Sequence, residues 1–198
     1  MLNFQLYPKQ ALYLCKMNNL EISMKSIETE RLLLRPIIES DATDIFEYSR
    51  NGNVGINAGW KPHENIEETK EVMKIVFLNQ EYVFGIVLKE TGKMFGSIGL
   101  IPDPKRQNDK TRMIGYAIGE DYWGKGFATE AVFAVLRFGF KETGLDLVSA
   151  YCYPFNERSK RVIEKCGFQY EGCLRLAEER YDGIVIDNNC YSIMNKEA

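Results

Sequence analysis

Three strand-like runs follow one another with no helix between them: EYVFGIVL over 81–88, KMFGSIGL over 93–100 and TRMIGYAI over 111–118. No other feature constrains the fold more. Strands in direct succession close as hairpins, whereas a parallel pair needs a long crossover between its members. KETG joins the first two runs as a hairpin turn, and the polar stretch PDPKRQNDK leads into the third. Upstream, residues 31–35 read as a strand stopped by Pro36. Two helices follow it. ESDATDIFEYSRN carries Ser40 as a candidate N-cap, with Asp41 and Asp44 suited to its positive end. NIEETKEVMKIVF places Ile66, Met73, Val76 and Phe77 near helical spacing. Downstream come a helix over 129–141 with Gly144 as C-cap, the strand LDLVSAYCY and the helix NERSKRVIEKCG, with Asn156 as N-cap and Gly167 just past its end. Two or three strands close the chain, turning at YDG. The order β-α-α-β-β-β-α-β-α-β-β is not the alternation of a doubly wound fold. It predicts a mixed α/β sheet with helices on its faces. Residues 1–24 do not fit this pattern beyond a short helix from Pro8 to Asn18, and are expected to form an N-terminal extension to a domain over 25–198.

The 198 residues fit one domain, or one with an appendage, and suffice for a substantial core. A net charge of −3 does not advertise nucleic acid, which selects basic stripes, so no nucleic-acid partner is expected. No apolar run approaches a membrane span, and the N-terminus lacks a basic region followed by a long apolar one. The expectation is therefore a cytoplasmic chain with no membrane partner. Cys15, Cys152, Cys166, Cys173 and Cys190 form no C-x-x-C pair and read as reduced thiols, mostly buried. His63 is the only histidine, so no metal site is expected, and a Ser-His-Asp hydrolase would have to use His63 as its base.

Chemistry concentrates in DYWGKGFATEA, residues 121–131, where two glycines sit at the mouth of a helix. The spacing from Gly119 through Gly124 to Lys125 gives G-x-x-x-x-G-K, but Gly126 follows where a P-loop needs the Ser or Thr that binds magnesium, so a nucleoside triphosphate is disfavoured. A loop of small residues before a helix exposes N–H groups with no intrahelical partner, and the helix dipole adds positive potential. Together they make a phosphate-type anion site. A glycine-assisted helix start without a ligand explains the same residues.

YWGKGFATEA, the downstream NERSKRVIEKCGFQYEG and the upstream TERLLLRP together resemble the GNAT superfamily of acetyl-CoA-dependent N-acetyltransferases, and within it the ribosomal-protein alanine N-acetyltransferases. The resemblance spans residues 26–194. It implies a mixed, mostly antiparallel central sheet of seven or so strands with helices on both faces, and acetyl-CoA as cofactor. The family's pyrophosphate pattern, Q/R-x-x-G-x-G/A, falls on Trp123, Gly124, Lys125, Gly126, Phe127 and Ala128, with Thr129 in the first helical turn. Trp123 departs from the usual Gln or Arg. The resemblance further implies that IGYAI splays from the next strand to admit the pantetheine arm, with backbone near Ile118 facing it and a nearby N–H available to an acetyl oxyanion. It also implies that Asn156 touches the pantetheine. Asn156 as a plain N-cap and Tyr116 as a core aromatic remain open beside these roles.

For the proton of the departing thiolate, many relatives use a tyrosine whose position here is Ile163. The resemblance offers Ser159 instead, with helix-start packing as its other explanation. A base used by some relatives falls on Met113, which cannot act. Glu67 and Glu68 lie in the region that usually forms the acceptor site, but Asn65-x-x-Glu68 also fits a capping box. Trp60, Glu67 and Tyr116 are the candidate acceptor contacts, and a water relay with no dedicated base stays open. The expected acceptor is a primary amine, either a protein N-terminus or a small molecule. A non-catalytic acyl-CoA-binding module is the alternative, and a homodimer is not excluded.

Overall fold

The computed structural model describes residues 25–78 and 80–196; residues 1–24, with the expected extension and its short helix from Pro8 to Asn18, lie outside them. The elements are β1 (Ile27–Glu28), β2 (Leu32–Pro36), α1 (Ala42–Ser49), α2 (Gly52–Ala58), α3 (Ile66–Val76), β3 (Val83–Leu88), β4 (Met94–Pro102), β5 (Thr111–Ile118), α4 (Phe127–Lys141), β6 (Leu147–Cys152), α5 (Glu157–Lys165), β7 (Gln169–Glu179) and β8 (Val185–Met194). Among the described residues, eight strands form one sheet in the order β1-β2-β3-β4-β5-β6-β8-β7. The strand beyond the expected seven is the two-residue β1, which pairs Ile27 with Leu34 and Glu28 with Leu33. Every adjacent pair is antiparallel except β5 and β6.

Strand side chains alternate between faces, and both faces are covered. Phe84, Ile86, Ile98 and Ile114 pack with Ala131, Val132 and Val135 of α4 and Ile163 of α5. Val83, Val87, Met94 and Ala117 pack with Ile45 of α1, Val54 of α2 and Met73 of α3. Helix α4 lies so close that a Cβ on Gly139 would stand 2.8 Å from a Leu100 methyl. Among the described residues no helix is long and apolar enough to cross a membrane.

Two local expectations need correction. Ser40 is not the cap of α1. It sits inside a short 3-10 turn, Glu39–Asp41, and the Asp41 carboxylate is committed elsewhere. It accepts from both Arg35 terminal nitrogens at 2.7 Å and from the Ile38 N–H at 2.9 Å. Helix α2 was not anticipated at all, because its three glycines and three asparagines over 51–59 read as loop. It forms because Asn51 caps it, accepting from the N–H groups of Asn53 and Val54, and Gly59 ends it at φ 85°.

Candidate active site

The site is a wedge where β5 and β6 part. Their pairing is confined to Thr111–Leu147, Arg112–Val148 and Met113–Ser149, while β5 continues to Ile118 and β6 to Cys152. On its other side β5 stays paired with β4, and the Gly119 N–H donates to the Phe95 carbonyl at 2.8 Å. Bonded residues alternate along an antiparallel ladder. Tyr116 and Ile118 therefore turn their backbone N–H and C=O groups toward the wedge. The Ile118 carbonyl accepts the Trp123 indole N–H at 2.8 Å, which ties the turn after β5 to the strand end.

A cavity of about 330 Å³ occupies the wedge. The unforeseen α2 supplies part of its wall through Val54, Asn57 and Ala58, and α4 and α5 supply the rest. Among the described residues, no carboxylate and no histidine lines it. Where α4 begins, Gly124 and Gly126 adopt φ values of 75° and 82°, in the left-handed region that favours glycine. Gly126 is the N-cap residue and no side chain caps this end. The first N–H groups of a 15-residue helix are thus left for a ligand.

The TERL segment holds this loop in place. The Glu130 carboxylate, in the first turn of α4, accepts from Thr29 Oγ1 at 2.6 Å, from the Arg31 N–H at 2.9 Å and from Arg31 Nε at 2.7 Å. Arg31 Nη1 also donates to the Lys125 carbonyl at 3.0 Å, and its guanidinium covers the Phe127 ring at 4.5 Å. Burial alone would raise the Glu130 pKa; the bonds from Thr29 and Arg31 outweigh it and hold the carboxyl below its ordinary value.

At the start of α5, the Tyr116 hydroxyl stands 2.9 Å from Ser159 Oγ, and it reaches the Ser159 carbonyl at 3.3 Å. Burial pushes the Tyr116 phenol above its ordinary value, against a smaller opposing effect of the Ser159 bond, so the phenol keeps its proton at neutral pH. Asn156 caps α5, accepting from the Ser159 N–H at 3.0 Å, and donates to the Asn57 carbonyl at 3.2 Å. Cys152 also lines the cavity, and burial pushes its thiol up to about 11.

The structure brings Tyr116, Ile118, Trp123, Gly124, Gly126, Phe127, Ala128, Thr129, Asn156 and Ser159 to this one cavity. Lys125 stands outside it, with its ammonium 5.6 Å from the centre of the Tyr122 ring. Trp60 is also outside. Its indole donates to the Ser49 carbonyl at 3.3 Å and its ring packs on the α1–α3 side of the sheet. Glu67 is exposed on α3, 4.0 Å from Lys70. Glu68 reaches back to the Glu64 N–H at 2.6 Å, at the start of α3. Ile163 and Met113 are core residues, 2% and 5% exposed. His63 Nδ1 is 2.8 Å from the Thr69 hydroxyl, away from the cavity.

Sequence reading missed Asn57, Cys152, Arg158, Arg161 and Lys165 as lining residues. The three cations fall at i, i+3 and i+7 of α5, one helical face beside Ser159. That spacing becomes informative once Ser159 is placed at the wedge.

A family model described as "Acetyltransferase (GNAT) domain" matches residues 31–169. An uncharacterised N-acetyltransferase of Bacillus subtilis, YoaA, is 35% identical over 172 residues, covering 85% of this chain and 96% of its own. The crystal structure of a GNAT-family acetyltransferase from Bacillus anthracis superposes with a TM-score of 0.75 at 28% identity, over 86% of this chain and 98% of the other. A ribosomal-protein-S5-alanine acetyltransferase from Vibrio fischeri gives a TM-score of 0.68 at 26% identity, over 87% and 98%.

Proposed function

This chain belongs to the GNAT acetyltransferase family and is an N-acetyltransferase that uses acetyl-CoA, and from that premise we propose that it moves the acetyl group directly to a primary amine at the β5–β6 wedge. The coenzyme supplies an activated acetyl thioester. The uncapped start of α4, with Gly124, Gly126, Ala128 and Thr129, holds its pyrophosphate, and the wedge-facing backbone of Tyr116 and Ile118 lies beside the acyl end. Asn57, Asn156 and Val54 close the wall opposite.

The observation that carries the mechanism is the 2.9 Å contact between the Tyr116 and Ser159 hydroxyls. We assign Tyr116 Oη–H as the donor to Ser159 Oγ in this pair, an assignment that leaves the serine's own proton for the departing thiolate. Burial keeps the phenol in its proton-bearing form, so it is a donor to the serine. Tyrosine thus serves at this site from β5, while the α5 position used by many relatives is a buried isoleucine.

Direct transfer is supported by Cys152. Its thiol is the one nucleophilic sulfur among the cavity residues, and at a value of about 11 it stays protonated near neutral pH. The amine's proton goes to a group outside the cavity. No carboxylate among the described residues lines the cavity, so water is our assignment for carrying that proton out to solvent.

The test is a screen of peptides with free N-termini, polyamines and amino acids, read by thiol release from acetyl-CoA. At least one class should turn over above hydrolysis. Tyr116→Phe and Ser159→Ala should each lower that turnover while leaving the KM for acetyl-CoA nearly unchanged. Unchanged turnover in both variants refutes the hydroxyl pair as the acid.

A further inference from the structure

Helix α2 is a wall of the cavity that its own sequence does not hold in place. Its residues, GNVGINA, are poor helix formers, so its position is set at its ends. At the start, the Glu120 carboxylate gathers two asparagines. Oε2 accepts from Asn51 Nδ2 at 2.9 Å, and Oε1 and Oε2 accept from Asn53 Nδ2 at 2.8 and 3.0 Å. At the far end, the Asn57 carbonyl lies in the last turn, where carbonyls lack an intrahelical partner. It accepts instead from Asn156 Nδ2 at the head of α5, at 3.2 Å.

These contacts join into a closed circuit. Glu120 stands two residues past the end of β5 and opens a short 3-10 turn, Glu120–Tyr122, which the Trp123 indole ties back to the Ile118 carbonyl. From Glu120 the path runs along α2 to Asn57 and across to Asn156. Asn156 Oδ1 accepts the Ser159 N–H at 3.0 Å, and Ser159 Oγ meets the Tyr116 hydroxyl at 2.9 Å, back on β5. The α2, α5 and β5 arcs each contribute lining residues to the cavity, whereas Glu120 itself does not line it. The Asn156 amide is the joint. It is planar, with its nitrogen committed to α2 and its oxygen to the first turn of α5. A shift of the Asn57 carbonyl therefore turns the amide and moves the Ser159 N–H, and with it the hydroxyl that faces Tyr116.

We propose that Glu120 is a positioning residue for acetyl transfer: through α2 and Asn156, its carboxylate sets the place of the Ser159 hydroxyl without touching coenzyme or amine. This rests on the reading of Ser159 as proton donor to the departing thiolate, and adds the residue that keeps that donor in register. A carboxylate suits the task because its two oxygens accept from two asparagines at once, in charge-assisted bonds, while a glutamine retains a single acceptor oxygen. A displacement of about 1 Å is enough to cost roughly 10²-fold in rate.

Two measurements on the full chain test this. The first needs no turnover: exchange of the Ser159 amide hydrogen, followed by nuclear magnetic resonance. Glu120→Ala should speed it by roughly tenfold or more, and Glu120→Gln by less, with exchange in the sheet unchanged. The second is thiol release from acetyl-CoA with glycinamide, a minimal N-terminal amine. Glu120→Ala should lower kcat by roughly 10–100-fold, with Glu120→Gln between it and wild type, while the dissociation constant for coenzyme A stays within about twofold. In a Ser159→Ala background the same change should cost less than about a further twofold, because the hydroxyl it positions is gone. Unchanged Ser159 exchange in Glu120→Ala overturns the circuit. Losses that multiply in the double variant overturn the positioning role and leave Glu120 as a support of α2. Wild-type turnover in Ser159→Ala alone would remove the serine as donor, and this role of Glu120 with it; a loss in Ser159→Ala beside none in Glu120→Ala removes the present inference alone.

Discussion

Replacing Glu130 by Gln should uncouple the glycine loop before α4 from the segment that leads into β2 and cost stability in a pH-dependent way. The carboxylate accepts bonds from Thr29 Oγ1, the Arg31 N–H and Arg31 Nε, all within 2.9 Å. Glutamine keeps the shape and one acceptor, but turns an amide N–H₂ toward the Arg31 guanidinium. Hydrogen bonds to charged groups are worth about 1.5–3 kcal/mol each. The Arg31 side chain is 43% exposed, so its part is discounted for solvent screening, while Glu130 is only 17% exposed. We expect a loss of about 2–3 kcal/mol at pH 7. For a domain of this size that is a fall in melting temperature of roughly 4–12 °C. The folded-state pKa of Glu130 is depressed. The contribution is therefore fully present above the unfolded carboxyl value, about 4.3, and is lost as the pH falls through the lower folded value. Thermal melts from pH 7 downward should show wild type and variant converging in acid. Coenzyme A affinity should also drop several-fold, because Arg31 Nη1 holds the Lys125 carbonyl. Equal melting temperatures at pH 7, or a gap that persists unchanged to pH 3, would refute the clamp.

Gly126→Val places a β-branched residue at φ 82°, with its Cβ 3.4 Å from Arg31 Nη2, so calorimetry should show coenzyme A affinity falling by about tenfold or more while the circular dichroism spectrum is kept. Tyr116→Phe and Ser159→Ala should each lower kcat by roughly 10²–10⁴-fold, and the double variant should be little worse than the worse single one, since one proton path is lost either way; additive losses in a kinetic cycle would mean the two hydroxyls act separately.

The sheet was legible because the three successive strand runs at 81–118 admit little except hairpins, and because Asn156, Asn65 and Gly167 mark helix ends by their own chemistry. Ser40 misled because Asp41, one residue on, is drawn into a bidentate pair with Arg35, six residues back at the end of β2, a demand that local capping rules do not contain. Helix α2 was illegible for a similar reason. Its residues are poor helix formers, and beyond its caps it is held by tertiary contacts: the Asn51 and Asn53 amides donate to the Glu120 carboxylate, and the Asn57 carbonyl accepts from Asn156. Trp60 was read as an acceptor contact from the loop position of Gly59-Trp60; in the structure its indole donates to the Ser49 carbonyl and its ring packs with the α1–α3 cluster. The glycine loop could be read as an anion site from spacing alone. Its supports could not, because Thr29 and Arg31 lie about 100 residues from Glu130 in sequence. The meeting of Tyr116 and Ser159, 43 residues apart, likewise follows from the splay of β5 from β6 rather than from any local motif.

The central claim, direct acetyl transfer to a primary amine at this wedge, is tested most directly by mass spectrometry. The protein is mixed with carbon-13 acetyl-CoA and a panel of N-terminal peptides and small amines, with thiol release followed in parallel. The account predicts label in the amide of at least one acceptor, one thiol released per amide formed, and no labelled Cys152 peptide at any time. Binding of the coenzyme with no amide formed on any primary amine, or label passing through Cys152, would contradict it.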